Sequence, residues 1–207
     1  CEDLKVMGFQ TTGVASHYFA VDAAKVTLLP DDMSYDEGAM IEPLAVAVHA
    51  VKQARDVKGA KIAVLGAGPI GILVAQAAKG LGAEQVMITD VSGLRLEKAK
   101  ECGVDFCVNT RNKDFGEAMT ESLGPDKADV IYDCAGNNIT MGQAIKYARK
   151  GSTIILVAVF AGLGQIDLAV LNDHELDLNT SMMYRNEDYL VCRLLLEKKR
   201  EYTTFDV

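Results

Sequence analysis

Three things are scarce in this 207-residue chain, and each scarcity removes a class of function. Long apolar runs are missing. Apolar residues make up 49% of the chain, yet no uninterrupted stretch approaches the ~18 residues that a membrane span needs. Positive charge is in deficit: 21 Lys and Arg stand against 29 Asp and Glu, a formal charge of −8. An acidic surface repels nucleic acid and anionic lipid, so neither is an expected partner. A small anionic ligand stays open, because it needs only a local positive site. Cysteine pairs are missing too. Cys1, Cys102, Cys107, Cys134 and Cys192 are odd in number, and none forms a Cys-x-x-Cys pair. Neither a disulfide framework nor a complete zinc site follows from them. Free thiols in an acidic chain with no recognisable signal peptide predict the cytoplasm. Repeats and low-complexity segments are absent as well. The start at Cys1 and the polar stretch Glu201 to Val207 suggest a piece of a longer protein.

What is present is an alternation. Residues 1–30 are turn-rich, with predicted strands at His17–Val21 and Lys25–Pro30. Ser34, followed by Asp36 and Glu37, predicts a helix start with acid in its first turn. Pro43 predicts a second start, because a helix tolerates proline best at its first position; the apolar run Leu44 to Ala54 continues from it. Predicted strands then cover Lys61–Leu65, Gln85–Asp90, Phe106–Asn109, Ala128–Asp133, Thr153–Phe160 and Leu176–Met183. Predicted helices cover Ile70–Lys79, Leu94–Cys102, Phe115–Ser122, Thr140–Ala148 and Tyr189–Lys198. Strands that are apolar on both faces and alternate with helices imply a parallel sheet covered on both sides. Right-handed crossovers make it a doubly wound α/β fold of the Rossmann type.

The sharpest motif is Gly66-Ala67-Gly68-Pro69-Ile70-Gly71. Gly-x-Gly-x-x-Gly alone is weak, but here a strand precedes it, a helix follows, and an acid lies at the right distance. Gly66 permits a tight turn, Gly68 leaves no side chain between backbone and pyrophosphate, and Gly71 lets the helix pack close. The helix N-terminus then attracts the pyrophosphate. Asp90 lies 19 residues beyond Gly71 at the end of the second strand. A carboxylate there accepts hydrogen bonds from the adenosine ribose and repels a 2′-phosphate, by roughly 4 kcal/mol per unit charge at ~4 Å before screening. That favours NAD over NADP. Arg95 lies along the ribose or adenine, or is a plain helix-surface cation.

Taken together, these residues resemble the zinc-dependent medium-chain dehydrogenases, in particular the sorbitol (polyol) dehydrogenase branch. The resemblance covers nearly the whole chain. It is carried by Cys1–Lys5 with Gly8, by Leu29–Asp31, by Glu37–Leu44, by Gly66–Gly71 and by Asp90. It implies that 1–43 is the last part of a β-rich, GroES-like catalytic domain and its linker. On that reading, 44–185 is the NAD-binding Rossmann domain, and 186–207 a connecting helix that begins the return. It also implies that Glu42 faces a catalytic zinc and that Cys1 belongs to a structural zinc lobe, both only in the intact protein. Val157, Ala158 and Val159, then Ser181, Met182 and Met183, would line the nicotinamide, and Ile70 would pack against the cofactor; taken by themselves, the two stretches also read as core strand residues and Ile70 as an ordinary apolar helix-start residue. Where the branch leads one to expect an Arg before the Tyr, Met183 precedes Tyr184 and Arg185 follows; this leaves the substrate open.

Taken by itself, Glu42 can also be no more than negative charge at the start of the Pro43 helix. Preceding a proline, it should be extended and outside that helix. His49 reads as a packed residue on an apolar helix, and His17 and His174 have no visible partner. Cys134 has no identifiable base to make it a nucleophile. The expected protein is an NAD- and zinc-dependent dehydrogenase of a small secondary alcohol, a polyol or another diol, working as a dimer or tetramer. This piece alone should be inactive. The rivals are a non-catalytic NAD-sensing module and a zinc-free reductase of the same architecture; neither needs Glu42.

Overall fold

The sequence pattern of short apolar runs between helical segments is realised as one parallel sheet. The computed structural model describes residues 5–23 and 26–182. They fall into two compact units, one of which spans Ile41–Met183, while the other holds the described residues up to Met40. In the larger unit the strands are β1 (Lys61–Leu65), β2 (Gln85–Asp90), β3 (Phe106–Asn109), β4 (Val130–Asp133), β5 (Thr153–Leu156) and β6 (Asp177–Thr180). Their order across the sheet is β3-β2-β1-β4-β5-β6, and every pairing is parallel. Chain order therefore reverses between β1 and β4, which is where a doubly wound sheet opens a crevice at the strands' carboxyl ends.

The helices are α1 (Tyr35–Lys52), α2 (Pro69–Gly80), α3 (Gly93–Glu101), α4 (Phe115–Leu123), α5 (Asn138–Tyr147) and α6 (Leu168–Asp173). Ile62 to Leu65, Val86 to Ile88 and Ile131 are each at most 1% exposed. These strands are buried on both faces, as their unbroken apolar character requires. Phe115, Met119, Met141, Ile145 and Ile154 complete the core on one side.

At the amino ends of the strands, acids grip the backbone. Asp129 Oδ2 accepts the Lys61 N–H at 2.7 Å, and Lys61 Nζ donates to the Leu123 carbonyl at 2.8 Å. Asp105 Oδ2 accepts the Val86 N–H at 2.7 Å and also binds Lys79. Sheet register is thus held at the edge away from the crevice.

Several expectations change. The helix start at Ser34 is as read. The Ser34 Oγ accepts the Glu37 N–H, and the Glu37 carboxylate accepts the Ser34 N–H, a capping box. The second start is not there: α1 runs unbroken through Pro43, so Glu42 is helical rather than extended. A proline inside a helix forfeits one hydrogen bond and costs about 3 kcal/mol. Burial of Ala45, Ala47, Val48, Ala50 and Val51 offsets that cost, as does a hydrogen bond from the buried Tyr132 hydroxyl to the Val51 carbonyl at 3.1 Å.

Among the described residues His17–Val21 forms no strand, nor do those of Lys25–Pro30; the flank holds a single bridge, Met7 to Thr11. A strand needs a partner for its amides, and none of the described residues pairs with these. The predicted strand Thr153–Phe160 stops at Leu156, where the Val157 and Ala158 amides both turn to the Asp133 carbonyl. The last strand is also shorter than expected. The helix α6, capped by the Asp167 side chain on the Ala169 and Val170 amides, was not anticipated. The helix expected at Tyr189–Lys198 lies outside the described residues.

Candidate dinucleotide site

The turn between β1 and α2 follows from three glycines with three different surroundings. Gly66 has φ +101°, a left-handed conformation that favours glycine. Its N–H extends the sheet by donating to the Thr89 carbonyl at 2.8 Å. A Cβ on Gly71 would stand 1.8 Å from the Gly66 carbonyl oxygen, so any other residue there would force helix and turn apart. A Cβ on Gly68 would meet nothing within 4 Å. Gly68 has extended backbone that any residue adopts. Among the described residues nothing demands glycine at 68, and its lack of a side chain leaves open space over the turn. That space lies at the N-terminus of α2, where the first amides lack intrahelical partners and an anion is favoured. A pyrophosphate fits it. Ile70 is half-buried beside this end.

Asp90 ends β2, next to the turn, and is 8% exposed. Its Oδ2 accepts the Ala67 N–H and its Oδ1 the Ser92 N–H, both at 2.8 Å. Arg95 Nη1 lies 3.7 Å from Oδ2, with the Arg95 side chain 60% exposed. The acid therefore braces the glycine turn, which spacing alone did not reveal.

On the other side of β1, Asp133 ends β4 fully buried. Its Oδ1 accepts the Ala135 and Gly136 N–H groups at 3.0 and 3.1 Å. Burial pushes its carboxyl above the usual carboxylate range, against the Gly136 and Ala135 amides and the more weakly acting Thr140 hydroxyl. The loops after β4 and β5 meet here. Val157 and Ala158 are half-buried, and Val159 is exposed. The Ser181 N–H donates to the Leu156 carbonyl at 2.9 Å, which sets the half-buried Ser181 beside the same edge, followed by an exposed Met182. These segments share the carboxyl edge with the glycine turn and Asp90. Met183 and Cys1 lie outside the described residues.

Glu42 is exposed within α1. Among the described residues no three His, Cys, Asp or Glu side chains gather where they could hold a metal. One carboxylate cannot hold zinc, so Glu42 could serve a metal only with ligands from other segments. His49 shares a hydrogen bond of 3.1 Å with the Gln53 amide, as a packed residue would. His174 caps α6, its Nε2 3.8 Å from Asp173. Burial, with the neighbouring Asp133, pushes the Cys134 thiol far up, which disfavours the reactive thiolate. Asp133 itself was noticed in the sequence only as a strand end. The signal was available: an acid closing an apolar strand and followed by small residues commonly turns back onto its neighbours' amides.

Residues 69–196 match the family described as zinc-binding dehydrogenase. The chain is 36% identical to the sorbitol dehydrogenase of Bos taurus over 172 residues, which is 82% of this chain and 48% of that one. An alcohol dehydrogenase of Escherichia coli CFT073 solved with NADH superposes with a TM-score of 0.84 at 28% identity, covering 95% of this chain and 58% of that one. A Sinorhizobium meliloti 1021 protein bound to NADP gives a TM-score of 0.86 at 26% identity, covering 95% and 59%. The chain spans about half the length of the curated relatives it matches. Its parallel sheet with the reversal between β1 and β4, its glycine turn and the extent of the family match lead to one conclusion: the chain belongs to the zinc-binding dehydrogenase family.

Proposed function

We propose that this chain supplies the dinucleotide-binding part of an NAD-dependent, zinc-type oxidoreductase that interconverts a secondary alcohol, above all a polyol, and its ketone. One observation carries the reading. The open space over Gly68 lies at the β1–α2 turn, beside the switch point, with the Asp90 carboxylate on the neighbouring strand. A dinucleotide lies across such a crevice, its pyrophosphate on the helix N-terminus.

Asp90 supports NAD as the nucleotide. Its lone pairs beyond those given to Ala67 and Ser92 can accept the ribose hydroxyls, and its charge opposes a 2′-phosphate. Arg95, held against that same carboxylate, is already partly neutralised. The likeness to a sorbitol dehydrogenase supports a polyol as substrate. When bound, the nicotinamide would take the hydride, and a zinc ion would polarise the alcohol oxygen. The residues of this chain bind and orient: the glycine turn seats the pyrophosphate, Asp90 and Arg95 the adenosine, and 157–159 with 181–183 the nicotinamide. Glu42 is the position we assign to the zinc-facing side, and Cys1 to a structural zinc, each with ligands from elsewhere in the protein. We infer a cytoplasmic homo-oligomer, on the strength of the family and of the free thiols at Cys102, Cys107 and Cys134.

The test is a fluorescence titration of the full-length protein with NADH and NADPH, then an assay of NAD reduction by sorbitol. NADH should bind about tenfold more tightly or better. Equal affinity would remove NAD preference, and binding of neither would overturn the reading as a whole.

A further inference from the structure

Four backbone amides converge on Asp133. Its side-chain Oδ1 takes those of Ala135 and Gly136, and its main-chain carbonyl takes those of Val157 and Ala158 at 2.9 and 3.0 Å. One residue therefore ties together the loops that leave β4 and β5. Its other carboxyl oxygen, Oδ2, is buried and makes no hydrogen bond among the described residues. Leaving an acceptor unpaired in the interior is costly. An apolar residue would avoid that cost but would release the two loop amides.

The loops leave little slack. Gly136 has φ +68°, and a Cβ there would come 2.7 Å from the Ala158 Cβ. The same loop abuts the phosphate turn: a Cβ on Gly66 would lie 3.1 Å from the Ala135 nitrogen. So the position of 134–136 is bounded by the glycine turn on one side and by 158–159 on the other. A dinucleotide spanning the switch point puts one half towards β2, where Asp90 stands. The other half must fall on the β4 and β5 side, over these loops.

We propose that the Asp133 side chain is a positioning group for the nicotinamide half of the cofactor: by fixing the 134–136 loop beside the 157–158 loop that its main-chain carbonyl holds, it shapes that half of the crevice without touching the ligand. The proposal rests on the dinucleotide reading above.

The experiment compares NADH with ADP-ribose, which keeps the adenosine and pyrophosphate but lacks nicotinamide. Both are titrated against the full-length protein, its Asp133→Leu and Asp133→Asn variants, and Gly136→Ala. Asp133→Leu loses two hydrogen bonds, so NADH should weaken about tenfold while ADP-ribose changes by less than about twofold. Asp133→Asn keeps one acceptor for the loop and should stay within about threefold of the parent for both ligands. Gly136→Ala leaves Asp133 intact but pushes the two loops apart, and should show the same selective loss. It decides the matter if Asp133→Leu does not fold. Equal weakening of both ligands, or of neither, would overturn the positioning role while leaving the cofactor reading in place. If the parent protein binds neither ligand, it is the cofactor reading that fails.

Discussion

Asp90 and Asp133 close the two strands that flank β1, and the carboxylate of each accepts two backbone amides. There the likeness stops. Asp90 spreads its bonds over both oxygens, keeps an arginine at 3.7 Å and stays 8% exposed. Asp133 crowds both amides onto one oxygen, has none for the other, and is fully buried. The same side chain at equivalent strand ends thus does two jobs. One acid keeps some exposure and a cation beside it, and the other is spent inward on loops. Strand position alone does not tell them apart; the neighbours of the carboxylate do.

The greatest loss should follow from disturbing the frame that both acids serve. Gly71→Ala should cost about 3 kcal/mol or more, because its Cβ runs into the Gly66 carbonyl, which cannot yield without moving the turn. Urea unfolding measures this. Gly68→Ala is the control: it should leave stability within about 0.5 kcal/mol and still weaken NADH severely. A variant that binds normally would mean the space over Gly68 holds no phosphate.

Next is Asp90→Ser. It should weaken NADH by about tenfold and improve NADPH, since a repulsive charge and a ribose acceptor go together. An unchanged ratio of the two dissociation constants would take away the ribose role proposed for Asp90. The inward role has a pH signature of the opposite kind. Burial holds the Asp133 carboxyl above its ordinary range, so the folded chain keeps that proton more tightly than the unfolded chain. Stability should therefore fall as pH rises from the ordinary carboxylate range to the raised folded value, and be level above it. Asp114 works in reverse. The Tyr147 hydroxyl, donating to its Oδ2, holds its carboxyl low, and its contribution is lost as pH falls. In Asp133→Asn the falling limb should vanish from a series of urea unfolding curves across pH; a limb that persists assigns it to another group. The smallest effect is expected from Arg95→Ala. An exposed cation at 3.7 Å is worth about 0–1 kcal/mol, so NADH should weaken by about fivefold at most. A larger loss would make Arg95 a principal adenosine contact.

The sheet was legible because its strands are short apolar runs whose neighbours are helices, and because Gly66, Gly71 and Asp90 sit at spacings only one topology explains. Pro43 misled because local preference argued for a break, whereas the decisive energy lies in the buried alanine face and in Tyr132, 89 residues further on. The flank near His17 misled in the opposite sense: β-prone residues make a strand only with a partner. Asp133 was legible only in part: an acid before small residues signals a turn onto their amides, but which loops that turn would hold depends on the loop after β5, more than 20 residues further on.

The acids at the far edge of the sheet have a consequence of their own. Asp129 and Asp105 lock Lys61 and Val86, so the two central strands β1 and β2 are held from their beginnings. Loops at the opposite end can then lengthen, shorten or change their chemistry without shifting the register behind them. Folding and specificity are written on opposite rims of one sheet, and a lineage can revise the second while leaving the first untouched.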